Sequence, residues 1–408
     1  MTHTDPFRPD LYDYDFECDP VPTLTRLRSE DPVHQSRHGF WYLTRYDDVV
    51  AVLQDSKRFS SVAAGFGTSS LSKPASQSGA EKSFNRSLAA SFNQMDPPDH
   101  TRIRLLVNSA FSRRSVEGRR GRILEVIGEL LAVMKRKPQF DLVTDFAFHL
   151  PIIVASEIIG IPTADRERFR VAFEESAVLL APKRSEESWA KGLASVKWVG
   201  GYIRELIEAR RREPKDDLLT ALIAAEEQGS RLNEAEMSSA ISTIYTAAGT
   251  TTERMISSGL FILLSHPEQW AALKADRALI AGAVEEILRF HHPLQSTTTN
   301  RRATEDVVMR GKTIKAGDTV RVGLGAANRD PAVFPDGDRF DIRRKMGAPI
   351  LSFGTGPHFC IGTALARFEG QLALEAMAEH MPGLRLITTA PVKDPKRTDR
   401  YHEILAAA

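Results

Sequence analysis

The sequence predicts a mainly α-helical fold with a smaller β region. Three observations carry this expectation. Asn233 is a good helix N-cap with Glu236 three positions later, and Met237, Ile241, Ile244, Tyr245, Ala248 and Thr252 then fall on one helical stripe. Two more long helical patterns cover Asp276 to Arg289 and the segment from Cys360 to Pro382-Gly383. Strand signals, by contrast, are short: the aromatic run Gly39 to Thr44, and pieces between residues 297 and 343 separated by turns such as Ala316-Gly317-Asp318.

The elements follow in order. The N-terminal stretch Met1 to Asp13 is polar and acidic, with no basic start and no apolar run, so it does not read as a signal peptide. After the first strand, Asp47 to Asp55 reads as a short helix. Residues 60–94 are rich in Ser, Gly and Ala without periodicity and read as a long mobile loop of the kind that is often functional. Pro98 to Lys137 is helical, and residues 141–212 hold several helices broken at Pro151, Pro162 and Pro182. The charges from Glu208 to Glu213 read as a solvated helix end. No linker or internal repeat divides the chain, so residues 1–408 are expected to form one domain.

Composition narrows the function. A chain of 408 residues, 42% hydrophobic and 26% charged, can bury a large core. Its net charge of +1 favours neither nucleic acid nor an anionic membrane. No apolar run is long enough for a membrane span. Two cysteines, Cys18 and Cys360, support neither a disulfide framework nor a cysteine-rich zinc site, which points to a reducing cytoplasm.

Cys360 stands apart. In Phe353-Gly354-Thr355-Gly356-Pro357-His358-Phe359-Cys360-Ile361-Gly362, glycines allow a tight turn and close approach to a flat ligand, and the cysteine is read as opening a helix. The free N–H groups of a helix start favour a thiolate. The spacing F-G-x-G-x-H-x-C-x-G resembles the haem signature of the cytochrome P-450 family. Cys18, in an acidic Phe-Glu-Cys-Asp-Pro setting, has no such surroundings.

Other segments extend the resemblance over essentially the whole chain. Glu286 and Arg289 match its E-x-x-R motif, with Arg344 as the third partner. His100 and Arg104 share a helix face and match its propionate-binding pair, joined by Arg301 and His358. Ala326 to Pro331 looks like the turn before its meander. Ala248-Gly249-Thr250-Thr251-Thr252 resembles its oxygen-activating segment, in which small residues at 248 and 249 leave room for dioxygen and Thr252 hydrogen-bonds the oxygen being activated. One departure is plain: the family's usual acid is replaced by Thr251, and Glu253 points roughly 100° away around the helix.

The resemblance implies a triangular helical prism with haem between distal and proximal long helices. Cys360 would be the iron ligand, and Phe353, Gly354 and Gly362 would shape the loop around haem b. The implied activity is insertion of one oxygen atom from O2 into a medium-sized organic substrate, such as a secondary metabolite. Electrons would come from NAD(P)H through a separate ferredoxin and ferredoxin reductase. Arg113, Arg114, Arg119, Arg120 and Arg122 could dock that ferredoxin, and fit a solvated basic face equally well. Phe92, Ile244, Ala247, Ala248, Thr297, Thr298 and Tyr401 would face the substrate. The missing acid leaves open an atypical haem-thiolate oxidase that couples rings, desaturates or uses peroxide. A non-catalytic haem sensor or carrier is the further alternative.

Overall fold

The computed structural model describes residues 7–62, 90–177, 179, 185–227, 232–297, 299–391, 393–394 and 397–408. Most of the loop expected at 60–94, together with Pro182 and Thr298, therefore lies outside the described residues. Helix α1 (Val21–Glu30) leads into strands β1 (Val33–Gln35) and β2 (Phe40–Leu43), then α2 (Tyr46–Gln54) and β3 (Phe59–Ser60). A 3-10 turn at Phe92–Gln94 precedes α3 (Asp99–Asn108), α4 (Arg120–Met134) and α5 (His149–Ile159). The long helices α6 (Arg166–Ala177), α7 (Glu186–Arg212) and α8 (Glu234–Leu264) follow, then α9 (Ile280–Phe290). Strands β4 (Arg301–Ala303) and β5 (Thr319–Val322) precede α10 (Thr363–His380).

The main sheet has the order β1-β2-β5-β4-β3. Only the β2–β5 pair is parallel, with Phe40 opposite Thr319 and Leu43 opposite Val322. All four residues of β2 are buried, Trp41 and Leu43 in a cluster with α2 on one face and Phe40 and Tyr42 in a cluster with α1 on the other. No helix among the described residues is long and apolar enough to cross a membrane.

Local rules explain some helix ends. The capping box forms as expected: Asn233 Oδ1 accepts the Glu236 N–H at 2.9 Å and Glu236 accepts the Asn233 N–H at 3.0 Å. Asp276 caps a 3-10 turn at Arg277–Leu279, and α9 proper starts at Ile280. Two expectations are corrected. Pro151 does not break a helix but sits in the first turn of α5, where its missing N–H has no partner to lose. Arg210, inside the supposedly solvated charge run, is buried and donates to Asp217 at 2.5 Å and to the Gly160 carbonyl at 2.7 Å.

The polar centre of the core is an ion cluster. Glu286 and Arg289 are both 0% exposed. Arg289 gives Nε and Nη2 to Glu286 at 2.7 and 2.8 Å, and its remaining N–H groups to the carbonyls of Asn328, Gly337 and Arg339. All five guanidinium donors are thus used. Arg344 Nε reaches the same Glu286 oxygen at 3.2 Å, and the Asp341 N–H reaches it at 2.9 Å. Asn328 carries the order onward: its side chain bonds the Leu351 N–H and the Ser352 hydroxyl at 2.7 and 2.9 Å, immediately before the cysteine loop.

Arg289→Ala should strand Glu286 in the core and cost about 3–5 kcal/mol. Denaturant unfolding of the variant against the parent checks this, and a loss below 1 kcal/mol would show that Arg344 alone satisfies the carboxylate.

Candidate active site

The cysteine loop is built on two left-handed glycines. A 3-10 turn at Leu351–Phe353 ends at Gly354, with φ +66°, and Gly356 follows at φ +74°. The loop closes on itself where the Cys360 N–H donates to the Phe353 carbonyl at 2.8 Å. Gly356 also lies against the end of α2. A Cβ there would meet the Leu53 carbonyl oxygen and stand 3.0 Å from Gln54 Cα. Arg367 backs the loop, with its guanidinium 4.6 Å from the Phe353 ring and its Nη2 donating to Glu285 at 2.9 Å.

Cys360 does not open the following helix. Gly362 is the N-cap and α10 begins at Thr363, so the sulfur precedes the helix by one turn. The side chain is accessible yet densely surrounded, as befits a residue bordering an interior space. Burial pushes the thiol pKa up, and this outweighs the Gly362 N–H, the Thr363 hydroxyl, Arg104 and Arg367, which all favour the thiolate. The sequence predicts that a helix start favours the thiolate. In the folded chain, desolvation exceeds it, and a bound cation is what would deprotonate the sulfur.

Beside this loop lies a cluster of basic side chains. His100 and Arg301 are 1% and 4% exposed, and the rings of His100 and His358 are 4.1 Å apart. The Arg104 guanidinium donates to the Phe359 carbonyl, which ties α3 to the residue before Cys360. Burial, and then the neighbouring positive charges, press His100 down to about 4 and His358 to about 2, and burial presses Arg301 to about 10. The acid that opposes this trend at His100 and Arg301 is Asp96. Its oxygens are already occupied by the Ser60 hydroxyl at 2.5 Å and the Ser61 N–H at 2.9 Å. His100 Nε2 is buried without a hydrogen-bond partner. The cluster therefore lacks anionic partners. A haem, with two carboxylates and an iron that prefers thiolate, fits this donor set. His358 is the exception, because its Nε2 already lies 3.1 Å from Ser61 Oγ.

On α8, the hydroxyls of Thr250 and Thr251 donate to carbonyls four residues back, Thr251 to Ala247 at 2.7 Å. Thr252 is 4% exposed and makes no such back-bond among the described residues. Gly249 also packs closely on a neighbouring helix. The direction of its missing Cβ faces Ile152 of α5 at 3.3 Å, so the glycine serves close helix packing, while Ala248 on the neighbouring face is only half-buried. Further along, α8 meets α10 where Met255 fills the space beside Gly370.

The expected substrate residues are partly gathered. Ser91 bonds Thr243 on α8 at 3.0 Å, bringing buried Phe92 to the helix that carries Ile244, Ala247 and Ala248. Thr297 is half-buried, with its hydroxyl oxygen buried and unpartnered. Tyr401 lies elsewhere. It packs on Phe261 and His291 and lines a cavity of about 260 Å³ with Cys18 and Arg28. Phe261 is thirteen residues beyond Ala248, about 20 Å along the helix at the usual rise. Of the arginines offered as a docking surface, Arg122 is engaged by Glu157 at 3.1 Å, whereas Arg113 and Arg120 pair with Glu117 and Glu375 at the surface. Ser61, Asp96 and Arg367 were not legible as site residues. The only signal for Asp96 was an acid beside a basic helix start.

Comparison with known proteins adds an independent line. Residues 33–381 match the family model described as Cytochrome P450. The chain is 39% identical over 379 residues to Cytochrome P450 monooxygenase PikC of Streptomyces venezuelae, covering 91% of this chain and 86% of that protein. It is 36% identical to Polyketide biosynthesis cytochrome P450 PksS of Bacillus subtilis, covering 91% of each. A crystal structure of P450BioI in complex with hexadec-9Z-enoic acid ligated acyl carrier protein superposes with a TM-score of 0.87 at 32% identity, covering 97% of this chain and 99% of that one.

Gly356→Ala should strain the cysteine loop by about 2 kcal/mol, since both the left-handed φ and the contact with α2 oppose a side chain. Thermal unfolding of the haem-free protein checks this, and an unchanged midpoint would show that the loop can move off α2.

Proposed function

The chain belongs to the cytochrome P450 family and is an oxidoreductase of the monooxygenase class, and on that basis we propose that it inserts one oxygen atom of O2 into a medium-sized, partly oxygenated organic molecule of secondary metabolism. The buried basic cluster beside Cys360, short of anionic partners, carries the proposal that the chain acts through haem b. Cys360 would bind the iron, His100, Arg104 and Arg301 would hold the propionates, and Phe353, Gly354 and Gly362 would shape the loop. When bound, the haem supplies the dioxygen chemistry that oxidises the substrate. NAD(P)H electrons would reach it through a separate ferredoxin and reductase, in a cytoplasmic setting. One P450 unit would account for all 408 residues.

The chain's own residues supply positioning and protons. Ala248, beside the buried Thr252, offers a small side chain where a bulky one would crowd the substrate. Thr252, free of the helix carbonyl that holds Thr251, can hold a water at its hydroxyl and pass a proton from it. Thr251 cannot serve as the acid. A hydroxyl does not ionise near neutral pH, and this one is committed to the Ala247 carbonyl. Glu253 is turned into the core at 2% exposure. Protons therefore enter through water or through a hydroxyl of the substrate. Ile244, Ala247 and Phe92, with Thr297 and Thr298, would line the substrate space. The committed Thr251 hydroxyl also favours one second reading, an oxidation without simple oxygen insertion, such as ring coupling or desaturation. A mere haem carrier would have no use for an uncommitted Thr252.

Reduced protein exposed to carbon monoxide should show the red-shifted Soret band of thiolate ligation, and Cys360→Ser should abolish it; persistence of the band in the variant would refute the assignment of the ligand. Product mass separates the two readings, since a gain of one oxygen is expected for insertion. Thr251→Asp should raise product formed per NAD(P)H consumed, and an equal or lower ratio would show that the missing acid does not limit coupling.

A further inference from the structure

Val21, Leu24, Thr25 and Arg28 recur at the three- and four-residue spacing of one face of α1, and all four border the cavity that holds Tyr401. Across it stand Phe290 at the end of α9, His291, and the turn with Ala326 and Arg329. Neither Cys360 nor the cluster of His100, Arg104 and Arg301 borders this cavity of about 260 Å³. Its wall holds three cations, Arg28, Arg329 and Lys393, against one carboxylate, Asp19. Arg329 is spent on Asp338 and the Phe290 carbonyl. Arg28 is not. It is 5% exposed, and its one hydrogen bond among the described residues runs from Nη1 to the Ala326 carbonyl at 3.0 Å. Burial lowers its pKa, ahead of attraction from Asp338 and Asp330, which are engaged by Arg329 at 2.9 Å and by the Tyr46 N–H at 3.0 Å. A buried guanidinium with donors to spare is costly unless acceptors reach it. The His291 ring stacks on Tyr401 at 15°, and burial, then Lys393 and Arg329, press it down to about 3, so it stands there neutral and flat.

We propose that this cavity is a second binding site, for a small organic carboxylate with a flat aromatic body, its carboxylate received by Arg28 and its rings lying against Tyr401 and Leu24. Nε and Nη2 form the edge of Arg28 that the Ala326 bond leaves over, and that edge matches a carboxylate with two parallel N–H donors. Phe290, Leu24 and the ring of Tyr401 supply the apolar wall, which a bare inorganic anion would not use. The volume lies just under that of drug-sized pockets, which limits the ligand to about two fused rings. The site is remote from the oxygen-activating segment, because Tyr401 packs on Phe261, about 20 Å along α8 from Ala248. It does not rest on the haem reading, since its walls are different residues.

The test is calorimetric titration of the purified holoenzyme with naphthoate, in the presence of phenylimidazole to occupy the substrate space at Cys360. One naphthoate per chain is expected. Naphthamide keeps the rings without the charge and inorganic phosphate the charge without the rings, and each should bind at least about tenfold more weakly. Arg28→Met should weaken naphthoate by about tenfold or more. Thr25→Trp, which fills the cavity from α1 and leaves every charge and the Ala326 bond in place, should abolish binding. No binding in the parent overturns the proposal and leaves a cavity that holds water alone. Binding that appears only without phenylimidazole overturns it too, by placing the probe in the substrate space. Naphthamide or phosphate binding as tightly as naphthoate overturns the ligand class, and affinity unchanged in either variant overturns the location. If Arg28→Met does not fold, Thr25→Trp decides.

Discussion

Positive charge buried without enough counter-charge sets the terms for this molecule. His100, Arg301 and His358 sit in a region where desolvation disfavours the protonated form, and Arg301 and Arg104 raise the cost of charging the two histidines further. Such a cluster persists only if the surrounding structure over-determines it or if an anionic partner arrives. The nearby carboxylate, Asp96, accepts from the Ser60 hydroxyl and the Ser61 N–H. A dicarboxylate cofactor would fill this electrostatic deficit. Burial likewise raises the pKa of the Cys360 thiol, an effect that a bound metal cation would offset.

The deficit is tolerated because a second, fully satisfied polar centre fixes the frame. Arg289 saturates its donors on Glu286 and three carbonyls, one of them that of Asn328. Asn328 then fixes Leu351 and Ser352, and His292 adds a contact of 2.9 Å to the Ser352 carbonyl. The glycine turn begins one residue later. Rigidity flows from a complete hydrogen-bond network to an incomplete one, which is what holds unsatisfied groups in place.

Features governed by neighbours in sequence were legible. The Asn233–Glu236 capping box and the Glu286–Arg289 pair depend on three-residue spacing, and the cysteine loop on glycines whose φ values only glycine adopts freely. Long-range geometry was not. That Gly249 lies against Ile152 of another helix could not be read from its own segment. A run of charges hides the buried Arg210 because its partners, Asp217 and Gly160, come from other turns of chain. Ser61 has an unremarkable sequence context, and only its place at the end of β3 brings its hydroxyl to 3.1 Å from His358 Nε2. Tyr401 was grouped with α8 residues on family grounds, but the C-terminal strands carry it toward Cys18.

Glu236 has a double attachment. It caps the first turn of α8 and also receives the Arg102 guanidinium, in a pair 2.5 Å long, from the helix that bears His100 and Arg104. One carboxylate thereby ties the start of the long central helix to the helix that would grip the cofactor. Local unfolding of either segment must break a bond of the other, so the two belong to one cooperative opening unit rather than two. Anchoring the cofactor on α3 would then quiet fraying at the beginning of α8, transmitting occupancy to a region that the ring itself does not touch.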